Sequence, residues 1–401
     1  MRCLPVVYCA VFIGLLWIPT LQHSLGVLPQ VELIGAEPPV PQAELTATAW
    51  FTGAFQRQYE QRRNIRFGLR PHLVKSYNQL QYSLFGRVTS GTGTSVIIGD
   101  DRWLYERTYV AKLNKPSADD GTLISTRVRQ LRRLQDQLKA RKKAFAYIIA
   151  PSKAEVYPEF IPSLDWLRPP LQENQETDYQ QAVKALQQHG VHFVDCHALF
   201  ARQKKENPAL HLFGPGGIHW NKYGVYLAWQ ELAALLNTQM SQPVRLPPLK
   251  AVERRRAEPV EADLGRLLNL WDPVFISRAT DYPVFHPQKS QDHREKPSFL
   301  IIGDSFLFTL VAVMAEARLS EEVDALYYFK RSFHYPADNG TIDPVQVESH
   351  SIQGEPLDWD RLLLHKDAVI LLSTEYWLPE LGWGFVEAAS GALEERRDQG
   401  K

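Results

Sequence analysis

From residue 95 onward, short uninterrupted apolar runs alternate with longer segments in which apolar residues recur every three or four positions. The run Ala144–Ala150 is ended by a proline and predicts a buried strand, whereas Thr122–Lys139 carries the stripe of an amphipathic helix. Further strands are predicted at Phe299–Gly303 and Ala368–Ser373, and a helix over Asp178–His189. This alternation predicts a three-layer α/β fold, in which a mostly parallel sheet has helices on both faces. The active site of such a sheet lies at the carboxyl ends of its strands.

An uncharged stretch of about 19 residues, Cys3–Leu21, follows Arg2 at the N-terminus. Its length is close to the ~20 residues that cross a bilayer as a helix. Positive charge before the stretch favours an N-terminus inside and a body outside the membrane. A cleaved signal peptide is the other interpretation, although no Ala-x-Ala cleavage pattern is present. Both interpretations predict export, either to the cell inner membrane as a single-pass protein with its body in the periplasm, or to the periplasm.

The patterns divide the chain into four parts. Residues 1–21 are the predicted signal anchor or signal peptide, and residues 22–49 are a Pro-rich linker. Residues 50–94 are predicted to form a helical segment packed on the core. The α/β domain is predicted to cover residues 95–396, with an excursion at 243–297 that is rich in Pro, Arg and Glu.

The composition excludes several classes of protein. Basic and acidic side chains are equal in number, 45 each, so no basic excess points to nucleic acid. Of three Cys, two lie in the N-terminal apolar stretch, which excludes a disulfide framework and a Cys-based metal site. The body has neither a His-x-x-x-His motif nor a Gly-rich nucleotide loop. We therefore expect neither a metal nor a cofactor.

The first candidate for chemistry is Gly303-Asp304-Ser305, at the end of the predicted strand Phe299–Gly303 and just before a predicted helix. This placement puts the Ser305 hydroxyl and its backbone N–H at the carboxyl end of the strand. A nucleophile and part of an oxyanion hole can share such a turn. Asp304 would line the same site. The alternative is that Ser305 only caps the following helix.

The second candidate is His219, within Gly217-Ile218-His219-Trp220-Asn221 before another predicted helix. A serine nucleophile needs a base, and histidine is the usual one near neutral pH. Packing or helix capping is the alternative role of His219. Trp220 and Tyr376 are candidates for stacking against a sugar ring.

Other polar residues follow the carboxyl ends of predicted strands. Ser152 and Lys153 come directly after Ala144–Ala150 and are candidates for the site lining or the oxyanion hole. Asp195 ends a further strand, where it is either a helix cap or a carboxylate for the site.

Several motifs together resemble a known family. They are Phe67–Arg70, Val96–Tyr105, Pro151–Lys153 with Tyr157–Glu159, Asp263–Leu270, the His-Trp-Asn element and the Gly-Asp-Ser element. In this order, over roughly residues 50–380, they are similar to the alginate O-acetyltransferase family of AlgJ- and AlgX-like SGNH proteins. The resemblance implies an SGNH-hydrolase-like, flavodoxin-like fold in circularly permuted order, since the His motif precedes the Ser motif.

The resemblance also implies a function. It predicts an O-acetyltransferase, or an acetylesterase, that acts on an extracellular or periplasmic polysaccharide. It further implies a multi-pass membrane-bound O-acyltransferase as the upstream acetyl donor. In the family a Ser is the nucleophile and an Asp-x-His pair supplies the orienting carboxylate and the base, and these roles carry over to Ser305 and His219.

The chain departs from the family at the aspartate, because the residue two positions before His219 is Gly217. Loss of an orienting carboxylate can cost ~10⁴ in rate. Asp195 or Asp304 could supply the carboxylate from elsewhere, or a backbone carbonyl could orient the ring. The third possibility is that the protein is a non-catalytic polysaccharide-binding or scaffold component of an exopolysaccharide acetylation and export complex.

Overall fold

The computed structural model describes residues 3–29, 31–35, 44–65, 67–87, 96–163, 175–271, 278–286, 296–336 and 347–399. The chain divides into two compact units. The first is Met1–Val96 with Leu264–Ile276, and the second is Ile97–Asp263 with Ser277–Lys401.

The first unit is helical. Its helices are α1 (Cys3–Leu25), α2 (Ala47–Phe51), α3 (Ala54–Ile65) and α4 (Arg70–Phe85). Within α1, Pro5–Gln22 is long and apolar enough to cross a membrane, a property that a signal sequence shares. Helix α4 has a proline in its first turn and ends at Gly86, whose φ of 60° is typical of a helix C-cap.

The second unit is built on strands. In chain order they are β1 (Val96–Ile98), β2 (Leu104–Glu106), β3 (Ala144–Ala150), β4 (Phe193–Asp195), β5 (Leu249–Arg256), β6 (Ala279–Phe285), β7 (Phe299–Gly303), β8 (Glu322–Tyr327), β9 (Arg331–Pro336), β10 (Ser349–Ser351) and β11 (Ala368–Thr374).

The longer connections between these strands are helical. The helices are α5 (Arg107–Lys112), α6 (Thr122–Ala140), α7 (Lys153–Val156), α8 (Asp178–His189), α9 (Cys196–Glu206), α10 (Lys222–Asn237), α11 (Asp263–Leu267), α12 (Leu307–Glu316) and α13 (Phe385–Gln399). Short 3₁₀ turns cover Asp100–Arg102, Pro158–Phe160, Pro259–Ala262 and Glu375–Glu380, and a π-helical turn covers Asp360–Leu364.

Seven strands form the central sheet, in the order β10-β9-β8-β7-β11-β3-β4. The five from β8 to β4 are mutually parallel, and β9 and β10 are antiparallel additions at one edge. Strand β11, the last in the chain, lies between β7 and β3: Ile370 pairs with Ile301 on one side and with Ala146 on the other. The sheet is mostly parallel, as the sequence predicts.

Helices cover both faces of this sheet. All seven residues of β3 are buried. Alternate residues such as Ala146 and Ile148 belong to the core shared with α10 and α12. Their neighbours Phe145 and Tyr147 belong to the core shared with α6 and α8. Strands buried on both faces are uninterrupted apolar runs because neither face meets water.

The segment 243–297 contains strands that the apolar pattern does not reveal. Strands β5 and β6 pair antiparallel as a separate two-stranded sheet. Most residues of β5 are exposed and four of its last five are Glu or Arg, so the strand has no apolar face that would predict it.

The carboxyl ends of the parallel strands bring the polar candidates to one edge. Ser305 follows β7, Glu375 follows β11, Ser152 follows β3, and Asp195 is the last residue of β4. These four strands are consecutive in the sheet, so their ends form one rim.

Candidate active site

Ser305 stands in the turn between β7 and α12, and Asp304 holds that turn in place. The Asp304 carboxylate accepts the backbone N–H of Phe306 at 3.0 Å and that of Thr374 at 2.8 Å. Asp304 is 1% exposed, and burial raises its pKa to about 6. Both oxygens are thus used to fix the Ser305 turn against β11, and Asp304 does not orient His219.

The structure brings His219 and Ser305 together. The distance from His219 Nε2 to Ser305 Oγ is 2.7 Å, within the reach of proton transfer. His219 is 8% exposed, and its ring meets Phe306 edge-on at 5.0 Å. The Trp220 indole donates to the Phe306 carbonyl at 3.1 Å, so the residue after the histidine is bonded to the residue after the serine.

Trp220 is not available to a sugar, contrary to the expectation from sequence. It is fully buried, since it packs between Phe200 and Phe306 and joins the two motifs. Asn221 caps α10 by accepting the N–H of Gly224 at 2.8 Å. The three residues His-Trp-Asn therefore supply the ring that meets Ser305, a tie to the serine turn and a helix cap.

The carboxylate beside His219 is Asp263, which comes from neither of the predicted positions. Asp263 Oδ2 lies 2.9 Å from His219 Nδ1, and Oδ1 accepts the N–H of Ile218 at 2.8 Å. The carboxylate is off the axis of the Nδ1–H bond, so the pair is at ion-pair distance without an aligned hydrogen bond. Asp263 thus contacts both the ring and the backbone that carries it.

Gly217 explains why the carboxylate comes from residue 263. A Cβ at Gly217 would lie only 2.6 Å from the carbonyl carbon of Glu261, and a Cβ at Gly214 would lie 2.8 Å from the Glu261 oxygen. The turn that precedes His219 therefore packs directly on the backbone of the turn that leads into Asp263. An aspartate at 217 and the observed path of residues 259–263 exclude each other.

Glu261 fixes this second turn. Its buried carboxylate accepts the N–H groups of Lys222 and Glu258, each at 3.2 Å, and the hydroxyl of Tyr282. Burial raises the pKa of Glu261 to about 8. The turn is thus tied to the start of α10 and to β6, and Asp263 is positioned two residues beyond this anchor.

Lys153 holds the turn before His219 from the other side. Its ammonium donates to the carbonyls of Gly214 at 3.2 Å, of Pro215 at 3.1 Å and of Gly217. The rings of Trp103 and Tyr105 lie 5.7 and 5.3 Å from it. Burial lowers its pKa to about 7, and the negative charge of Asp263, which acts to raise the pKa, offsets only part of this shift. Lys153 therefore holds the backbone that carries His219 and does not line the site.

Ser152 and Asp195 also have structural roles that differ from those considered in the sequence. The Ser152 N–H donates to Glu375 at 2.8 Å, so it is not directed at an oxyanion, and its hydroxyl caps α7. Asp195 caps α9 and accepts the Tyr179 hydroxyl at 3.0 Å. Because its carboxylate is used there, Asp195 does not supply the missing orienter of His219.

The sequence contains one weak signal for the true carboxylate. Asp263 begins a block that the sequence shares with the family, but spacing alone gives no reason to connect it with a histidine 44 positions earlier. Glu106 is a second acidic residue that sequence reasoning missed. Burial raises its pKa, and the charges of Asp263 and His219 act on it in opposite directions.

Tyr376 lines a cleft at the same rim. The cleft has a volume of about 570 Å³. Its walls include Lys112 at the end of α5, Lys115 in the loop that follows, and Tyr376 and Trp377 after β11. Its aromatic wall begins two residues after Thr374, whose N–H is bonded to Asp304. The aromatic wall therefore follows directly on the strand end that holds the Ser305 turn.

Two aromatic residues near this cleft have strained backbones. Tyr328 and Trp383 have φ values of 50° and 51°, which bulky side chains rarely adopt. Their rings are 5.1 Å apart, and each also meets Trp377, at 5.3 and 6.1 Å. The Tyr328 N–H donates to the carbonyl of Gly303 at 2.9 Å, so this aromatic cluster is bonded to the last residue of β7, two residues before Ser305.

Within the described ranges, no group of three or more His, Cys, Asp or Glu side chains is arranged to hold a metal ion. The rim brings together a serine, a histidine and a carboxylate in series. This arrangement can activate a hydroxyl nucleophile and hold an acyl group as an ester.

Solved structures with similar folds include those of the following three proteins. The O-acetyltransferase domain of Pseudomonas putida AlgJ is 17% identical, with a TM-score of 0.45, over 74% of this chain and 99% of that chain. Pseudomonas aeruginosa AlgX is 14% identical, with a TM-score of 0.40, over 74% and 67%. Bacillus cereus PatB1 is 12% identical, with a TM-score of 0.42, over 71% and 96%. These likenesses are distant, and comparison of the sequence with curated proteins gave no match.

A family model gives a firmer assignment. The model described as "SGNH hydrolase-like domain, acetyltransferase AlgX" matches residues 96–306, more than half of the chain. The matched span contains His219, Asp263 and Ser305. It confirms the resemblance and the SGNH-hydrolase-like fold that the motifs indicate. The chain therefore belongs to the family of the SGNH hydrolase-like domain of acetyltransferase AlgX.

Proposed function

We propose that the protein is an O-acetyltransferase of a polysaccharide outside the cytoplasm, with Ser305 as nucleophile, His219 as base and Asp263 as the orienting carboxylate. Membership of the AlgX acetyltransferase family supports acetyl transfer. The observation that carries the assignment of residues is the series of two short contacts, 2.7 Å from Ser305 Oγ to His219 Nε2 and 2.9 Å from His219 Nδ1 to Asp263. Asp263 would thereby fill the role of the aspartate that Gly217 replaces.

In the first half-reaction, Ser305 Oγ attacks the carbonyl carbon of a donor acetyl ester while His219 Nε2 takes the hydroxyl proton. The negative charge of Asp263 stabilises the imidazolium that forms. The Ser305 N–H, at the end of β7 and the start of a helix, supplies one hydrogen bond to the oxyanion. His219 then returns the proton to the departing donor oxygen, which leaves an acetyl ester on Ser305.

In the second half-reaction, a sugar hydroxyl takes the place of the donor. His219 removes its proton, the hydroxyl oxygen attacks the acetyl carbon, and Ser305 leaves with the proton from His219. The products are an acetylated sugar and the free serine. Water in place of the sugar would give hydrolysis, so the same residues account for an acetylesterase side reaction.

The acceptor sugar would bind in the cleft beside the serine. Tyr376 and Trp377 offer aromatic faces of the kind that stack on sugar rings, and Lys112 and Lys115 offer hydrogen-bond donors. Lys112 is paired with Asp178 at 2.8 Å, so its charge is partly neutralised. Tyr376 therefore stays a candidate for acceptor binding, in contrast to the buried Trp220.

The same proposal includes a location and a donor. We place the protein at the cell inner membrane through residues 1–21, or free in the periplasm if that segment is cleaved. The apolar helix α1 is compatible with either arrangement. A multi-pass membrane-bound O-acyltransferase would pass the acetyl group across the membrane to Ser305.

The test is acyl transfer by the purified full-length protein in detergent, with an activated acetyl ester as donor. Ser305→Ala should abolish both turnover and the acetyl mass adduct on the protein, a loss on the order of 10⁴-fold or more. Ser241→Ala changes an exposed loop serine and serves as the matched control. Acetylation that persists in Ser305→Ala would refute the assigned nucleophile.

The scaffold alternative makes a different prediction in cells. If Ser305→Ala leaves acetylation of the cell's polysaccharide intact while deletion of the gene abolishes it, the protein is a non-catalytic binding component. Loss of acetylation in both strains, with normal protein levels, would favour the enzyme.

A further inference from the structure

Exposed large apolar side chains are concentrated in the first unit. Outside the N-terminal 45 residues, those with the greatest exposure are Trp50, Phe51, Tyr59, Ile65, Phe67, Leu73, Tyr77, Leu80, Leu84, Phe85 and Trp271, all of this unit. Among the described residues of the second unit, Leu123 is the one large apolar side chain of comparable exposure. Apolar exposure concentrated in one part of a molecule is typical of a surface that contacts a partner or a membrane.

Helix α4 shows how this surface is organised. Leu73, Tyr77, Leu80 and Leu84 are 55%, 51%, 54% and 64% exposed, and their spacing of four, three and four residues places them on one helical face. The opposite face is already used within the unit, where Asn78 is buried and donates to the Leu268 carbonyl at 2.9 Å. Helix α4 is therefore held by one face and presents a second apolar face outward.

The charged residues of this part of the chain are mostly cationic. Residues 44–87 contain seven Lys and Arg and two Glu. Arg57 and Arg63 are exposed on α3, and the Arg63 guanidinium lies 5.4 Å from the Tyr59 ring. A surface that combines exposed Leu, Phe, Trp and Tyr with Arg has the composition of segments that lie in the interface of anionic bilayers.

The same unit carries the helix that could anchor the chain. Helix α1 is exposed along its length, and α2 begins 22 residues after α1 ends. Such a tether keeps α3 and α4 at high local concentration near any bilayer that α1 enters. Even a weak affinity of these two helices for lipid is then sufficient to hold them on the bilayer. A free protein partner would gain no such advantage from α1, which favours the bilayer as the occupant.

We propose that the α3–α4 surface, residues 54–85, lies on an anionic lipid bilayer, with the α4 stripe at the acyl boundary and the α3 arginines at lipid phosphates. The proposal rests on retention of α1 as an anchor, as in the proposed location, and it is independent of acetyl transfer. The protein would then contact the membrane at a second place, in addition to α1.

The experiment uses the full chain with Cys3 and Cys9 replaced by Ser, so that neither residue reacts with the label. Cys196 is kept, because it is buried and will not label. A single cysteine from Leu80→Cys carries an environment-sensitive fluorophore. The protein is placed in nanodiscs of phosphatidylcholine with or without phosphatidylglycerol, each with nitroxide-labelled lipid. Leu123→Cys, the exposed leucine of the second unit, is the matched control position.

We expect several-fold stronger quenching at position 80 than at position 123 in the anionic discs. Arg57→Gln combined with Arg63→Gln should reduce that quenching without changing the melting temperature. A protein that enters the discs but shows equal quenching at both positions overturns the surface proposal and leaves the anchor standing. A protein that does not enter the discs refutes the anchor and this proposal together. Shielding of position 80 only when another membrane protein is added would also overturn it, in favour of a protein partner.

Discussion

The two halves of the candidate site are built in different ways. Ser305 stands on one continuous strand–turn–helix. Its turn is fixed by Asp304, which bonds to Phe306 in the same turn and to Thr374 at the end of the neighbouring strand β11. His219 stands on a turn that two distant segments hold in place: Lys153 bonds to the carbonyl of Gly217, and the backbone of Glu261 packs against Gly217. The position of Ser305 thus depends on the sheet, whereas the orientation of the His219 ring depends on a few loop contacts. Substitutions around His219 should therefore lower activity with less loss of stability than substitutions around Ser305.

The largest effect is expected for Asp263→Asn. Loss of the charge beside Nδ1 removes stabilisation of the imidazolium and should lower kcat for ester cleavage by about 10²–10⁴-fold. The melting temperature should change little, because the side chain is 30% exposed. Glu106→Gln is the control, since Glu106 lies near the pair without contacting the ring. A larger loss in Glu106→Gln than in Asp263→Asn would show that the wrong carboxylate has been assigned.

The close approach of the two turns is tested by glycine substitutions. Gly217→Ala places a methyl group against the Glu261 backbone and should lower the free energy of unfolding by about 1–3 kcal/mol. Gly391→Ala in α13 meets no atom within 4 Å and should raise that energy by about 0.5–1 kcal/mol. Urea unfolding of both variants measures the difference. A Gly217→Ala protein as stable as the wild type would mean that the turn at 259–263 can move away.

Lys153→Met should change the pH dependence of stability. The pKa of Lys153 is about 7 in the folded protein and near 10.5 when unfolded, so the unfolded state binds more protons between these values. The stability of the wild type relative to Lys153→Met should therefore rise with pH over this window, by at most about 1.4 kcal/mol per pH unit, and level off below pH 7. Unfolding curves at several pH values test this. A difference that does not vary with pH would contradict a buried, depressed lysine.

The smallest effect is expected for Asp195→Asn. Asparagine caps helices about as well as aspartate, so stability should stay within about 0.5 kcal/mol and kcat within about twofold of the wild type. Activity assays alongside Asp263→Asn make the comparison direct. A loss at residue 195 that matched the loss at residue 263 would return Asp195 to the list of orienters.

What the sequence could predict follows the same division. The strand at 299–303 and the Ser305 turn can be predicted, because a buried parallel strand is an apolar run and its end is fixed by the next helix. The buried state of Trp220 cannot be predicted, since an indole is equally suited to stacking on a sugar ring and to packing in a core. The role of Asp263 cannot either, because it depends on a missing Cβ at Gly217 and a buried carboxylate at Glu261, and neither leaves a periodic pattern.

The central place of β11 has a consequence for biogenesis. Residues 368–374 join β7 to β3, and Thr374 completes the hydrogen bonding of Asp304. In the export proposed above, the chain crosses the membrane N-terminus first, so the two sides of the sheet cannot be joined until residues 368–374 have emerged. The serine would then become competent only at the end of translocation, and nascent or C-terminally shortened chains should be substrates for quality-control proteases with no acyl-accepting activity of their own.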